Sequence, residues 1–129
     1  MEQQRAYPEA TGDFTGLLTQ IALAGKVIAR EVNKAGLVNI LGFTGTQNVQ
    51  GEQVTKLDVF AHETLVEALA ASGHVCAMAS EEAAEPILPA PDSPRGPYTV
   101  LFDPLAGSSN IDINITIGTI FSIHRKASP

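Results

Sequence analysis

The 129-residue sequence has one cysteine, no tryptophan and only 5% aromatic residues. Cys76 has no internal partner for a disulfide, which points away from a secreted, stapled fold. With so few aromatic platforms, the bases of a single-stranded nucleic acid have little to stack on. Basic residues are also scarce: eight Lys and Arg face fourteen Asp and Glu, giving a net charge of −6. No basic stripe is available to neutralise a phosphodiester backbone, so nucleic acid is not expected as a partner. No run approaches the roughly 20 apolar residues that a membrane span needs. The opening MEQQRAYPEATGD carries neither the basic region nor the apolar run of a secretory signal. These absences lead to the expectation of a cytoplasmic, acidic α/β chain, whose 44% hydrophobic content suffices for one core.

Residues 1–12 are polar and hold Pro8 and Gly12, so they read as a lead-in, with Thr11 and Asp13 as helix N-caps. From 13 to 36, Leu17, Ile21, Ala24, Ile28 and Val32 recur every three or four residues, which predicts a long helix with one buried face. Gly36 reads as its stop signal, and Gly25 weakens its continuity. Residues 37–56 show no sustained period and carry three glycines, so they read as a long loop. A second helix is predicted over 57–72, with Leu57, Ala61, Leu65, Ala68 and Leu69 on one stripe and Glu63 and Glu67 facing water.

VCAMAS at 75–80 reads as a buried strand that ends on Glu81 and Glu82. Five prolines in the stretch 83–97 remove donors and fix φ, making it a connection. PYTVLFD at 97–103 reads as a strand ending in an acid, followed by the turn-rich PLAGSSN. The β-branched segment 113–125 predicts two strands, or one bulged strand, interrupted at Gly118.

Three acidic groups fall at element ends: Glu52 with Asp58, Glu81 with Glu82, and Asp103 with Asp112. Hard divalent cations prefer carboxylate, carbonyl and water oxygens, and a sheet that gathers such groups would bind them. Any one group taken alone also reads as solvated surface or a cap. No His or Cys cluster with zinc-type spacing is present, and His62, His74 and His124 read as surface or packing residues. Cys76, inside an apolar strand, reads as a core residue and not a reactive thiol. The small-residue turn Gly107-Ser108-Ser109-Asn110 offers backbone N–H groups and two hydroxyls suited to a phosphate, although as a motif it also fits an ordinary turn. An acid pair ending one strand, with strand-Asp-Pro-Leu and this turn some twenty residues on, would place metal ligands and phosphate donors in one mouth.

These segments resemble class I fructose-1,6-bisphosphatases: SEE (80–82), FDPLAGSSNID (102–112), GTIFSIHR (118–125), and further back TGDFT, KAGL and GEQVTKLDV. The family's central motif is DPLDGSSNID. Inositol monophosphatases share looser versions of these motifs and form a more distant alternative. The resemblance implies a layered α-β-α sugar-phosphatase fold (α+β), with N-terminal helices packed on part of a mixed β-sheet. It makes residues 1–129 the N-terminal portion of a longer subunit that assembles as a homotetramer. The implied activity is hydrolysis of fructose 1,6-bisphosphate to fructose 6-phosphate and phosphate in gluconeogenesis or the Calvin cycle, with Mg²⁺ as cofactor and Mn²⁺ or Zn²⁺ as substitutes.

By that resemblance Glu81 bridges metals, Asp103 is a shared metal carboxylate, and Leu105 is a ligand through its carbonyl. Glu52 stands where the family has an Asp ligand on a mobile catalytic loop, here matched by 37–56. Glu82, with Asp58 as partner, matches the residue that activates the attacking water, and Gly107, Ser108 and Ser109 match groups around the 1-phosphate. Thr11, Gly12, Asp13 and Thr15 match the turn of an AMP inhibitor site, with Tyr98 and Arg125 as further nucleotide contacts. Pro97 replaces a Lys there, which lowers the expected attraction for AMP phosphate. Ala106 replaces a metal-binding Asp, so a carboxylate ligand is missing and impaired turnover is expected. The alternative reading is a catalytically dead AMP-binding or oligomerisation module.

Overall fold

The computed structural model describes the main chain of residues 12–40, 47–109 and 116–126, and the side chains of 12–36, 54–109 and 116–126. Two helices, α1 (Asp13–Ile40) and α2 (Gln47–Ala71), precede three strands, β1 (Val75–Ser80), β2 (Tyr98–Ala106) and β3 (Gly118–Arg125). The helices pack on each other and α2 lies on β1 and β2, which gives the expected helices on a mixed sheet. No described helix is long and apolar enough to cross a membrane.

The apolar periodicity sets this arrangement. Leu17, Ile21, Ala24 and Ile28 on α1 are buried, as are Ala61, Leu65 and Leu69 on α2. They meet Val75 and Met78 of β1 and Val100, Phe102 and Leu105 of β2 in one cluster. Side chains three or four apart share one helix face, so each helix closes over the core with a single stripe. Glu63 and Glu67 face water, as their positions predicted.

Both helices run beyond the predicted limits. α1 continues through Gly36 to Ile40, and α2 starts at Gln47, so most of the expected loop 37–56 is helical. Gly36 does not stop α1; the positive φ that ends helices occurs at Gly73 (φ 74), just after α2. An interior glycine costs about 1 kcal/mol relative to Ala, a penalty that a long helix with a buried stripe absorbs.

The strand order is β1-β2-β3, with β1 and β2 parallel and β2 and β3 antiparallel. The proline-rich connection 81–97 covers the outer edge of β1, where Met78 and Ile87 exchange two backbone hydrogen bonds of 2.8 Å. β2 runs three residues past its predicted end, and its pairing with β3 shifts register between Asp103 and Ala106. Pro104 explains the shift: it has no N–H to give the ladder, and prolines inside sheets settle at such irregularities. Its carbonyl still accepts the Thr119 hydroxyl at 3.0 Å. Residues 113–115 of the third predicted strand segment lie outside the described residues.

Gly96 fits the return of the connection to the sheet. A Cβ at this position would overlap the main chain of His74, whose carbonyl accepts the Tyr98 N–H at 3.1 Å. Gly96→Ala is therefore expected to cost about 1–3 kcal/mol, the range for an overpacked site that must shift backbone. Urea denaturation measures it, and an unchanged midpoint would show that the connection moves freely.

Candidate metal centre

β1 and β2, being parallel, deliver their C-terminal ends to the same edge of the sheet. Ser80 pairs with Phe102, so the residues that follow them, Glu81 and Asp103, emerge side by side. The Glu81 N–H donates to the Phe102 carbonyl (3.0 Å) and the Ala83 N–H to the Ser80 carbonyl (3.1 Å), which closes a tight turn around the two glutamates. One oxygen from each of Glu81, Glu82 and Asp103 lies within 4.8 Å of the others. The Glu81 and Glu82 side chains are exposed and Asp103 is half-buried.

The Pro104 irregularity turns the next residues toward the same mouth. With the ladder interrupted, the Leu105 N–H donates to Asp103 Oδ1 at 3.3 Å. Ala106 follows, opposite Gly118, and Gly107 takes φ 84 to begin the turn that carries Ser108 and Ser109.

Asp58 reaches the site from α2. Its Oδ1 is buried and has no hydrogen-bond partner among the described residues. Burial pushes its carboxyl above the ordinary value, a hydrogen bond from Ser108 pulls it down, and the negative charges of Asp103 and Glu81 push it further up. Glu82 is also raised, by desolvation, by a hydrogen bond shared with Glu81, and by the charges of Asp58, Glu81 and Asp103. Four carboxylates crowd one mouth. Carboxylate oxygens are the donors that a hard divalent cation takes, and the orphaned Asp58 oxygen marks a further polar position. The residues present therefore fit such an ion, and the methyl of Ala106 adds no donor to the set.

Of the residues singled out in the sequence, Asp58, Glu81, Glu82, Asp103, Leu105, Gly107, Ser108 and Ser109 lie on the elements that form this mouth. Glu52 falls on the first turns of α2 and not on a loop, with its side chain outside the described residues, as are Thr11 and Asp112 altogether. The AMP-type residues gather elsewhere. Gly12 (φ 85) and Asp13 open α1, where Asp13 Oδ1 lies 3.5 Å from His74 Nδ1. The Phe14 ring is tilted against that of Tyr98 with centroids 6.0 Å apart. Tyr98 pairs with Arg125 across β2 and β3, while Thr15 gives its carbonyl to the Thr19 hydroxyl (2.9 Å). Tyr98 is five positions before Asp103, so this corner sits roughly 16 Å along the strand from the acid mouth.

Sequence reasoning gave His62 and Cys76 bland roles. His62 Nδ1 in fact lies 2.9 Å from the Ser80 hydroxyl, directly behind the acid turn. Its position four residues after Asp58, on the same helix face, was the available signal. Cys76 is half-buried and not fully in the core, with its sulfur against the Tyr98 carbonyl at 3.4 Å and the Thr99 hydroxyl at 3.6 Å.

Comparison with known proteins agrees with these motifs. The family model for the fructose-1,6-bisphosphatase N-terminal domain matches residues 1–129. A class 1 fructose-1,6-bisphosphatase from Maridesulfovibrio salexigens is 57% identical over 125 residues, covering 97% of this chain and 37% of the relative. One from Lawsonia intracellularis is 56% identical over 126 residues, covering 98% and 37%. The crystal structure of Leishmania major fructose-1,6-bisphosphatase in holo form superposes with a TM-score of 0.77 at 35% identity, covering 94% of this chain and 35% of that one. Its T-state structure gives 0.71 at 36% identity, covering 92% and 34%. The chain thus spans little more than a third of the length of these proteins. With its whole length matched by the family model and more than half its residues identical to class 1 relatives, the chain belongs to the fructose-1,6-bisphosphatase family.

Proposed function

We propose that this chain is the N-terminal, metal-site portion of a cytoplasmic enzyme that hydrolyses fructose 1,6-bisphosphate to fructose 6-phosphate and phosphate. The observation that carries this reading is the convergence of Glu81, Glu82 and Asp103 within 4.8 Å, with Asp58 beside them. Glu81, Asp103, the Leu105 carbonyl and, by the family resemblance, Glu52 would hold Mg²⁺. Bound divalent cations supply Lewis-acid polarisation of the phosphoryl group and offset charge developing on the leaving oxygen. The raised carboxyls of Glu82 and Asp58 suit a pair that takes and holds a proton from the attacking water. Backbone N–H groups of Gly107, Ser108 and Ser109 and the Ser109 hydroxyl would face the 1-phosphate, with Gly107 allowing the left-handed turn.

The test uses the chain completed with the C-terminal portion of a class 1 relative and carrying Ala106→Asp. Phosphate release from fructose 1,6-bisphosphate is expected to require Mg²⁺, and Glu81→Gln is expected to lower Mg²⁺ affinity at least about 10-fold, since even partners outside the ligand set contribute that much. Absence of release at saturating Mg²⁺ would sink the reading.

A second reading has its own support in Ala106, which removes a carboxylate, and in the corner formed by Asp13, Phe14, His74, Tyr98 and Arg125. On that reading the chain binds AMP, or forms a subunit contact, without catalysis. Calorimetry with AMP separates the two: a flat titration at millimolar nucleotide removes the nucleotide-binding alternative.

A further inference from the structure

The turn carrying Glu81 and Glu82 is held from behind by a side chain that the proposed chemistry does not use. Ser80 ends β1 and is buried. Its Oγ lies 3.2 Å from the Glu82 amide nitrogen and 2.9 Å from His62 Nδ1. A backbone N–H can only donate, so Ser80 Oγ is the acceptor toward Glu82. The hydroxyl proton then needs an acceptor of its own, and His62 Nδ1 is the partner at hydrogen-bond distance. That assignment puts the imidazole proton on Nε2. The ring also lies against Phe102, with centroids 6.3 Å apart, so it is flanked by the strand that bears Asp103.

We propose that His62 is a positioning residue for the acid turn. By accepting the Ser80 hydroxyl proton it directs the Oγ lone pairs at the Glu82 amide, and so fixes the direction in which Glu81 and Glu82 present their carboxylates. The inference rests on the reading of these glutamates as metal-handling and water-activating groups. A ligand held by a chain of oriented hydrogen bonds loses affinity when the chain is cut, typically 10–100-fold.

The geometry predicts which replacements work. Asn places its Oδ1 where His has Nδ1, whereas Gln reaches only toward Nε2. In the completed chain carrying Ala106→Asp, His62→Leu and His62→Gln are each expected to lower Mg²⁺ affinity and kcat about 10–100-fold. His62→Asn should stay close to the parent and also serves as the control for folding. Ser80→Ala should match His62→Leu, and the double variant should be no worse than either, because both act through one hydroxyl. In ¹⁵N-histidine spectra the parent should show Nδ1 bare and Nε2 protonated. An Asn variant no better than Leu, additive losses in the double variant, or a protonated Nδ1 would each overturn the proposal. If the parent releases no phosphate, the catalytic reading fails by itself. Hydrogen exchange at the Glu82 amide then decides the positioning role, expected slow in the parent and His62→Asn and faster in His62→Leu, with equal rates overturning it.

Discussion

Ala106→Asp, in the chain completed by the C-terminal portion of a class 1 relative, is expected to raise Mg²⁺-dependent phosphate release at least about 100-fold. Loss of partners that merely orient ligands costs 10–100-fold, and a ligand itself should exceed that. The site has space for the carboxylate. Ala106 is half-buried at the end of β2 and pairs with Gly118, where even an added Cβ would meet nothing within 4 Å among the described residues. The same substitution should weaken the metal-free protein, because a further negative charge joins Asp58, Glu81, Glu82 and Asp103. The opposed effects give a signature: melting temperature falls in chelator and recovers with Mg²⁺, more steeply than in the Ala106 form. Ligand binding to the folded state stabilises by mass action, so the recovery tracks affinity. Equal Mg²⁺ responses in the two forms would show that position 106 faces away from the ion.

The acid mouth was readable in the sequence because it is built from strand ends. β1 and β2 have strong β-branched or apolar runs with abrupt acidic stops, and parallel pairing turns two such stops into neighbours. The buried stripes of α1 and α2 were readable for the same reason, through their period. The helix ends were not. Residues 37–40 and 47–56 hold Gly51 and several amides and show no sustained apolar period, and helix extension there reflects propagation from an already packed helix, a cooperative effect that no local window contains. β2 passed its predicted end at Asp103 because Pro104 is tolerated where the register shifts, a fact about the partner strand. The roles of His62 and Ser80 were hidden for a similar reason. Residues 62 and 80 lie on different elements, and only packing brings a helix imidazole to the last hydroxyl of β1.

Asp58→Asn is expected to make the metal-free chain more stable at neutral pH and to leave the completed enzyme carrying Ala106→Asp nearly inactive. Burial leads the causes that raise the Asp58 carboxyl, and the charges of Asp103 and Glu81 reinforce it against the Ser108 hydrogen bond. A carboxyl raised in the folded state binds its proton more tightly there than in the unfolded chain. Its contribution to stability is therefore fully present below the unfolded value of about 3.9 and is lost as pH rises through the folded value. Asn keeps the shape and an acceptor for Ser108 but cannot ionise. The melting temperature of Asp58→Asn should match the parent near pH 3 and exceed it increasingly as pH rises from about 4 through the folded value. Glu82 is raised in the same direction, so a residual decline with pH remains in the variant. Saturating Mg²⁺ should shrink the gap, because a bound cation reverses the repulsion that penalises the carboxylate. In the active form the same change removes one member of the proton-handling pair, and kcat should fall about 10²–10⁴-fold, the usual worth of a positioned acid or base. A variant less stable than the parent at pH 7 would mean that Asp58 holds the fold together and does not strain it for the sake of the site.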